Sequence, residues 1–505
     1  MRSLDWFSWF RENYLRHKLL IHKLKIDHVL DRRDLFSYID SKKKEMIADL
    51  QSLIRQRSVS ARKQGLEQCA AVVAGIMIKA GINAKILNLA KDNDHDDPSS
   101  TAPPIVYGEV KTKRKTNGPA RTLMFYNHYD VQPEDPIELW DHDPYAGIIE
   151  GDYIYGRGSS DDKGELITRI KAVEHYIKLF GDVPCNIKFL VEGEEETGSI
   201  HLGQYLARYH NEFACDGVIW EFGYINEQNI PIITLGMKGL LFVELTAIGP
   251  NRDAHSSLAV LIENPAWRLI RALSKLTDST GKILVTDWYK EVRDLKEREK
   301  AFLQTDSFDE IRFKTEYGIH SFLNNVQGID IQKAMVSMPT CNIAGMVSGY
   351  TGEGAKTIIP STATVKIDFR LVPDMDPLIQ FERLKKYLAA NGFDERSLSV
   401  RFLHGEAASR TNVNDPFVAV VSESAREVYG DAKISVSSPA TGPMDSFSKN
   451  LKVPCISIGS TFIYSKMHSP NEFARSDLLL KTTKCMCAIM DRFVSQDTMR
   501  QDRSQ

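Results

Sequence analysis

The sequence predicts an α/β fold, in which a mixed, largely parallel sheet carries helices on both faces and is interrupted by a smaller α+β domain. Between residues 122 and 220, short apolar strands alternate with helical segments, which is typical of a parallel sheet with crossover helices. After residue 236 the order becomes strand, helix, strand, helix, strand, which is typical of a compact open-faced sandwich. The first pattern resumes near residue 415, so the smaller domain is predicted to be an insertion.

The spacing of apolar residues predicts the individual elements. Helices are expected where apolar residues recur every three or four positions, and strands where short apolar runs end at turn residues. The expected helices are 35–57, 65–80, 163–180, 199–209, 264–277, 377–391 and 476–494. The expected strands are 122–126, 186–192, 217–220, 240–248, 362–371, 397–403 and 453–458.

Length and composition set the domain organisation and exclude one class of partner. A chain of 505 residues is too long for a single core. We expect an N-terminal extension (1–34), a main domain in two parts (35–236 and 411–505) and an inserted domain (237–410). The net charge of −3 provides no basic field for nucleic acid. Seven scattered cysteines without a Cys-x-x-Cys pair predict reduced thiols and a cytoplasmic location.

The N-terminal extension is rich in aromatic and basic residues. Leu15, Leu19 and Leu24 recur at helical spacing, which favours a basic amphipathic helix. Two interpretations stay open. The favoured one is that the extension packs on its own protein or on a second subunit; the other is contact with a membrane surface. We expect no segment to span a bilayer, because none is long and apolar enough.

A histidine and an aspartate follow a predicted strand. His128 and Asp130 come directly after strand 122–126, and their spacing points both side chains the same way in an extended segment. A carboxylate at Asp130 can hold the imidazole in the tautomer that leaves one nitrogen free for a metal ion. Because loops at the carboxyl ends of strands converge on one crevice, further ligands are expected from neighbouring strand ends.

Two adjacent aspartates stand at the start of helix 163–180. Gly156 and Gly158 allow a tight turn that delivers Asp161 and Asp162 to this position. A carboxylate has two oxygens and can bridge two metal ions. The alternative is that one of these acids only caps the helix, which accounts for one acid but not for the full set.

Three consecutive glutamates, Glu194 to Glu196, follow the apolar strand 186–192. The usual interpretation of such a run is a solvated acidic surface. Its position at a strand end favours instead some inward-facing carboxylates, which repel each other unless a divalent cation binds them. One glutamate then remains free to carry protons to and from water.

In combination these segments identify a family resemblance. The segments NHYDV at 127–131, W-x-x-DPY at 140–145, YGRGSSDDKG at 155–164 and VEGEEETGS at 191–199 resemble motifs of the di-zinc metallopeptidases. That family includes carnosinases, cytosolic nonspecific dipeptidases, aminoacylases and glutamate carboxypeptidases. The resemblance covers about residues 35 to 495. It implies a phosphorylase/hydrolase-like catalytic domain interrupted by a ferredoxin-like lid and dimerisation domain.

The resemblance implies a ligand set for two divalent ions. His128, Asp161 and Glu221 are implied as ligands of one ion. Asp161, Glu196 and His468 are implied as ligands of the other, with Asp161 as the bridge. Zinc is expected first, and these ligands also suit manganese and cobalt.

Further roles follow from the same resemblance. Asp130 is implied as the acid that supports the metal-binding histidine, and Glu195 as the general base. The peptide between Asp161 and Asp162 is cis in the family. The ligand at the position of Glu221 is commonly Asp in dipeptidases and Glu in deacylases and carboxypeptidases, so this residue weakens the choice of substrate and not that of the metal site.

The inserted domain and its surroundings supply candidate substrate contacts. His255 resembles the lid histidine that, in dimeric members, reaches the partner's active site and stabilises the oxyanion. Arg370 resembles the residue that binds a substrate carboxylate, with pairing to a structural acid as the alternative. His404 and Gly442 stand at positions that resemble substrate-binding residues.

The implied function is hydrolysis of the amide bond of a dipeptide or short peptide with a free carboxylate, by a homodimer with two metal ions per subunit. An N-acyl-amino-acid deacylase or a carboxypeptidase of the same family is the alternative. A catalytically inert binding protein on the same fold is the third possibility, and the complete ligand set argues against it.

Overall fold

The computed structural model describes residues 32–89, 102–114, 119–305 and 308–501. The predicted N-terminal amphipathic helix lies outside these residues. The described α-helices are Arg32–Ser41, Lys43–Arg55, Leu66–Lys79, Lys163–Phe180, Leu202–Arg208, His210–Phe213, Pro265–Leu273, Glu297–Thr305, Glu310–Tyr317, Ile329–Ser337, Pro377–Ala390, Pro416–Tyr429, Met444–Asn450 and Ser476–Gln501. None of these helices combines the length and the apolar character that a bilayer span needs.

A large mixed sheet organises the main domain. Within the described residues it has eight strands, in the spatial order Asn83–Leu87, Ile105–Val110, Asn186–Glu192, Thr122–His128, Gly217–Trp220, Cys455–Ser457, Ile232–Thr234 and Lys433–Ser435. The four strands from the third to the sixth place in this order run parallel to one another. Their carboxyl ends therefore lie at the same edge of the sheet. The predicted mixed α/β fold is confirmed.

Both faces of this sheet are covered. In strand Thr122–His128, Leu123 and Phe125 join one buried cluster, whereas Met124 and Tyr126 join another. This alternation follows from the two-residue period of a strand, and a central strand with the continuous apolar run 123–126 must be buried on both sides. The covering helices fix the sheet and leave its polar carboxyl edge as the crevice.

A second, antiparallel sheet forms the smaller domain. Its spatial order is Thr340–Ser348, Thr362–Leu371, Gly239–Ile248 and Leu398–Glu406. The helices Pro265–Leu273 and Pro377–Ala390 pack on one face, where alternate residues of Gly239–Ile248 are buried. The order of elements along the chain includes the strand–helix–strand–strand–helix–strand sequence of a ferredoxin-like sandwich. The limits 237 and 410, and the role of this domain as a lid, remain predictions.

The strand Thr340–Ser348 and three helices between residues 297 and 337 are absent from the sequence-based expectation. Seven of the nine residues of the strand are exposed, so it lacks the half-buried alternation by which strands are recognised. Its register also shifts between Ile343 and Gly345, which interrupts the two-residue period.

Candidate metal centre

The predicted ligands gather at the carboxyl edge of the central parallel strands. His128 is the last residue of its strand, and Glu221 directly follows strand Gly217–Trp220. Glu195 and Glu196 begin a short 3-10 helix after the neighbouring strand. Apolar runs that end at a polar residue produce this arrangement, because the strand interior is buried and its end opens into the crevice.

Asp161 presents one carboxylate oxygen to each of two histidines. Its Oδ1 lies 3.1 Å from His128 Nε2, and its Oδ2 lies 3.0 Å from His468 Nε2. The side chain of Asp161 is largely buried, and the peptide bond to the next residue is cis. A carboxylate in this position can bridge two cations, with one cation on each oxygen.

Asp162 stands at the N-terminus of helix Lys163–Phe180 without capping it by a side-chain hydrogen bond. Its Oδ2 accepts instead from Asn127 Nδ2 at 2.7 Å and from the backbone amide of His128 at 3.0 Å. The alternative that one of these acids only caps the helix is therefore wrong. Asp162 anchors the strand end that carries a candidate ligand.

The remaining ligand candidates complete two groups. Glu196 Oε2 lies 3.1 Å from His468 Nε2, and Glu221 Oε2 lies 4.0 Å from His128 Nε2. Among the described residues there are two groups within each of which the donor atoms lie less than 4.8 Å apart, namely His128, Glu195 and Glu221, and Asp161, Glu196 and His468. The first set contains Glu195 where the expected set has Asp161, although Asp161 Oδ1 also contacts the histidine of that set.

The acidic groups of this crevice fit divalent cations. Burial raises the pKa of Glu195 well above its ordinary value, and the charges of Glu196 and Asp161 raise it further against the opposing effect of His128. Burial also raises the pKa of Glu221, whose Oε2 has no hydrogen-bond partner among the described residues. Close carboxylates and a buried oxygen without a donor are what a bound dication neutralises.

Contacts with neighbouring acids raise the pKa of both candidate histidine ligands. Hydrogen bonds to Asp161 and Glu196 raise the pKa of His468 to about 10. Burial disfavours the charged form of His128, but hydrogen bonds with Asp130 and Asp161 raise its pKa well above the usual range. Because metal ions bind the neutral ring, a bound cation would take the place of a ring proton, and metal binding would be accompanied by proton release.

Asp130 connects His128 to the segment that carries Glu195 and Glu196. The nearest acceptor of His128 Nδ1 is the backbone carbonyl of Asp130 at 3.0 Å, and the carboxylate Oδ1 is 3.4 Å away. Asp130 Oδ1 accepts from the amide of Glu195 at 3.2 Å, and Oδ2 accepts from the amide of Glu196 at 3.1 Å. Asp130 thus orients the ring through its backbone carbonyl and fixes the start of the 3-10 helix through its carboxylate.

Arg370 lies on strand Thr362–Leu371 of the smaller domain. Its Nη1 donates to Thr441 Oγ1 at 2.7 Å, and its Nε is 3.9 Å from Asp368 Oδ1. The hydrogen bond therefore goes to a neutral hydroxyl, whereas the acid contact is long. Gly442 follows Thr441 directly, so this contact brings the arginine next to the segment that contains Gly442.

His404 and Gly442 lie close to the strand ends of the metal centre. The Cε1 atom of His404 is 3.6 Å from the position that a Cβ on Gly198 would occupy, and Gly198 ends the 3-10 helix of the glutamates. A Cβ on Gly442 would lie 3.3 Å from Met237 Sδ and from Trp220 Cζ2. Both candidates therefore border loops that carry ligand candidates.

His255 stands apart from these groups. It is exposed, it forms a two-residue strand with Ala254 in the smaller domain, and its Nδ1 lies 2.9 Å from Ser257 Oγ. No described contact joins it to the ligand candidates of its own chain. The expectation that it serves the partner subunit's site stays a prediction.

Two residues that the sequence does not predict as functional bind the segments that carry the candidate ligands. Asn127 binds Asp162, and Glu472 binds the backbone of the Asp161 loop. Both are polar residues next to a ligand in the chain or four residues from one, at positions where a surface residue is the ordinary assumption. The signal was their place beside candidate ligands: Asn127 directly precedes His128, and Glu472 follows His468 by four residues.

Known proteins share this architecture. Residues 124–492 match the profile of Peptidase family M20/M25/M40. Beta-Ala-His dipeptidase of Mus musculus is 28% identical over 410 residues, which are 78% of this chain and 82% of that protein. Cys-Gly metallodipeptidase DUG1 of Candida albicans is 30% identical over 358 residues, which are 69% of this chain and 73% of that protein.

Solved structures agree with this match. The M20 family metallo-carboxypeptidase Sso-CP2 from Sulfolobus solfataricus aligns with a TM-score of 0.79 and 36% identity, covering 88% of this chain and 98% of its own. Human carnosine dipeptidase 1 aligns with a TM-score of 0.74 and 25% identity, covering 92% and 100%. The expected resemblance is confirmed, and the chain belongs to Peptidase family M20/M25/M40.

Proposed function

We propose that this protein is a metal-dependent dipeptidase that uses two adjacent divalent ions. The observation that carries this proposal is the position of Asp161 between His128 and His468, with one carboxylate oxygen toward each ring. A carboxylate between two histidines suits a pair of metal ions about 3.5–4 Å apart, which is the separation found in hydrolases with two metal ions. The metallodipeptidases among the relatives support the same reaction.

The proposed ligand set divides the acids between two sites. His128, Asp161 and Glu221 would hold one ion, and Asp161, Glu196 and His468 would hold the other. When bound, divalent ions polarise the substrate carbonyl and acidify water. The nitrogen and oxygen donors suit zinc first, and manganese or cobalt are compatible.

Glu195 is the proposed general base. It lies in the same crevice as the ligands, and Asp130 fixes its backbone amide. In the reaction its carboxylate takes a proton from the attacking water and then gives it to the leaving amine. Its raised pKa suits a carboxyl group that must hold a proton between these two steps.

Arg370, His404 and Gly442 are the proposed substrate contacts. The charge of Arg370 faces a neutral threonine hydroxyl at 2.7 Å, so its guanidinium suits the free carboxylate of a dipeptide. The proximity of His404 to Gly198 supports a contact with substrate beside the glutamate loop.

We further propose that the protein is a homodimer in which His255 serves the partner's site. The smaller domain exposes large apolar side chains, among them Val260 at 87%, Leu261 at 82%, Val347 at 60% and Trp267 at 59% exposure. Exposed apolar groups on one domain indicate a protein interface. His255 directly precedes the 3-10 helix Ser256–Val260 that carries part of this surface.

The seven unpaired cysteines support a cytoplasmic location.

A carboxypeptidase or N-acyl-amino-acid deacylase is the second candidate. Sso-CP2, a metallo-carboxypeptidase, is 36% identical to this chain, and Glu221 has the longer acid that the resemblance associates with this group. The two candidates differ in whether a free amino group is needed on the residue before the cleaved bond.

A hydrolysis screen separates these candidates. The purified protein is loaded separately with Zn²⁺ or Mn²⁺ and offered Cys-Gly and β-Ala-His, the same dipeptides blocked at the amino group, and N-acetylated single amino acids. Preference for free dipeptides supports the dipeptidase. Equal or better cleavage of the blocked substrates favours the second candidate, and metal binding without any hydrolysis favours an inert protein.

A further inference from the structure

Glu472 is a buried carboxylate that accepts four hydrogen bonds from one loop. The residue is 0% exposed. Its Oε2 accepts from Arg157 Nη1 at 2.7 Å and from the Gly158 amide at 3.0 Å. Its Oε1 accepts from the amides of Ser160 at 2.9 Å and Asp161 at 3.1 Å. Both oxygens are therefore fully used inside the protein, and Glu472 is directly bonded to the backbone of the candidate bridging ligand.

The segment that carries His468 is tied to the main domain at two points. The carbonyl oxygen of Glu472 accepts from the Gly156 amide at 2.9 Å. Asn471 Oδ1 accepts from the Asp141 amide at 2.8 Å, and Asn471 Nδ2 donates to the Asp141 carboxylate at 2.8 Å. These anchors lie three and four residues after the histidine, so they restrict where its ring can stand.

Arg157 neutralises the buried acid and explains the W-x-x-DPY motif. Its guanidinium lies 5.3 Å from the centre of the Trp140 ring, and its Nη2 donates to the Pro133 carbonyl at 3.2 Å. Its backbone amide donates to the Pro144 carbonyl at 2.7 Å. The W-x-x-DPY motif thus positions Arg157, and Arg157 binds Glu472. This gives the motif a structural role, although none of its residues is a candidate metal ligand.

We propose that Glu472 is a positioning residue that sets the distance between Asp161 and His468. This role rests on the proposed two-ion function, since it concerns the ion that these two ligands share. The two ligands are 307 residues apart in sequence, yet the path through Glu472 connects them by one hydrogen bond and four residues of chain. Groups that hold metal ligands from behind change affinity by about 10–100-fold when they are replaced.

The test compares Glu472→Gln with the matched control Glu174→Gln. Glu174 is also a buried, ion-paired glutamate: it is 2% exposed, and it pairs with Lys171 and Lys178 on helix Lys163–Phe180. It has no described contact with a ligand candidate. A glutamine at either position removes one buried charge. Only at position 472 does the new NH₂ group replace an oxygen that accepts hydrogen bonds from the loop of Asp161.

The measurements are the number of ions bound per subunit, their dissociation constants from chelator competition, and the visible absorption spectrum of the Co²⁺-loaded protein. We expect Glu472→Gln to bind one of the two ions about 10–100-fold more weakly and to change the Co²⁺ spectrum. Glu472→Asp, which keeps the charge, should recover part of the affinity. Glu174→Gln should bind both ions as the unmodified protein does.

Two results would overturn the positioning role, and they are distinguishable. Unchanged affinities and an unchanged Co²⁺ spectrum in Glu472→Gln remove this role while the two-ion function stands. Binding of fewer than two ions by the unmodified protein removes the two-ion function itself, and the positioning role with it. If Glu472→Gln does not fold, Glu472→Asp decides: wild-type affinity and spectrum in that variant contradict the role, and weakened binding supports it.

Discussion

His468 Nε2 lies 3.0 Å from Asp161 Oδ2, although 307 residues separate the two in the sequence. The smaller domain lies between them in the chain. The candidate metal centre therefore combines ligands from both parts of the interrupted main domain, and its geometry depends on how those parts pack. A substitution that disturbs this packing should change metal binding even when it touches no ligand.

Replacing the proposed base separates catalysis from metal binding. Glu195→Gln should lower kcat by about 100–10,000-fold, because the amide cannot take a proton from water. Metal content, measured by elemental analysis after gel filtration, should stay near that of the unmodified protein. Hydrolysis at a normal rate would remove Glu195 as the base.

His255 allows a complementation test of the dimer. His255→Ala and Glu195→Gln should each be nearly inactive alone. In a mixed dimer, the subunit with His255→Ala keeps its own Glu195 and receives the partner subunit's His255, so one of the two sites works. Mixing equal amounts with subunit exchange should restore activity to about a quarter of the sites. If mass spectrometry shows that the subunits have exchanged and no activity returns, the result contradicts the role of His255 in the partner subunit's site.

Glu192 should make stability depend on pH. Burial raises the pKa of this carboxyl to about 8, from an ordinary value of 4.5. Between these values the folded protein keeps a proton that the unfolded chain releases, so stability falls as pH rises through this window. Glu192→Gln keeps an acceptor for the Tyr126 hydroxyl, which lies 2.5 Å away, and removes this titration.

The measurement is urea unfolding of both metal-free proteins at about pH 5 and pH 8. The free energy of unfolding of Glu192→Gln, relative to the unmodified protein, should be higher at the upper pH than at the lower one. A difference that does not change with pH would show that the carboxyl is not protonated in the folded protein.

Gly223 tests the close approach of two strand ends. A Cβ at this position would lie 2.2 Å from the Gly459 amide nitrogen and 2.4 Å from Ile458 Cα. Gly223→Ala should therefore cost about 1–3 kcal/mol of stability and weaken metal binding, because Glu221 is two residues away. Gly203→Ala is the control, since, its own helix backbone and chain neighbours aside, no atom of the described residues lies within 4 Å of the position that its Cβ would occupy. Thermal unfolding and metal titration measure both effects, and equal behaviour of the two variants would contradict the prediction.

Metal removal should destabilise the protein. Without cations the carboxylates of Glu195, Glu196 and Glu221 are forced together in a buried crevice, which raises their pKa. Adding Zn²⁺ to chelator-treated protein at about 100 times its dissociation constant should add about 2.7 kcal/mol for each independent site. Differential scanning calorimetry checks this. Glu221→Gln should reduce the gain, and a metal-independent Tm would argue against a resident ion.

Local sequence patterns predict the central strands and the residues at their ends. Strand Thr122–His128 is apolar at successive positions and ends at a histidine, so both its burial and its ligand follow from the sequence. The approach of His404, on the antiparallel sheet, to Gly198, beyond a strand end of the large sheet, joins distant parts of the chain, and no local pattern encodes it. The exposed strand Thr340–Ser348 lacks the alternation that marks a strand. Glu472 looks like a surface acid until the loop that it binds is folded over it.

The separation of the ligands along the chain has a consequence for biosynthesis. Asp161 and Glu196 leave the ribosome long before His468 and Glu472, and the smaller domain is made in between. Until the last segment arrives, the growing chain has acids in the crevice without their second histidine and without the anchor of the Asp161 loop. Domains generally fold as units during synthesis, so the main domain can complete its fold only after its second part has been made. With the proposed ligand set, a chain that ends before residue 468 lacks one ligand of the ion between Asp161 and His468, so it cannot bind that ion in the same way.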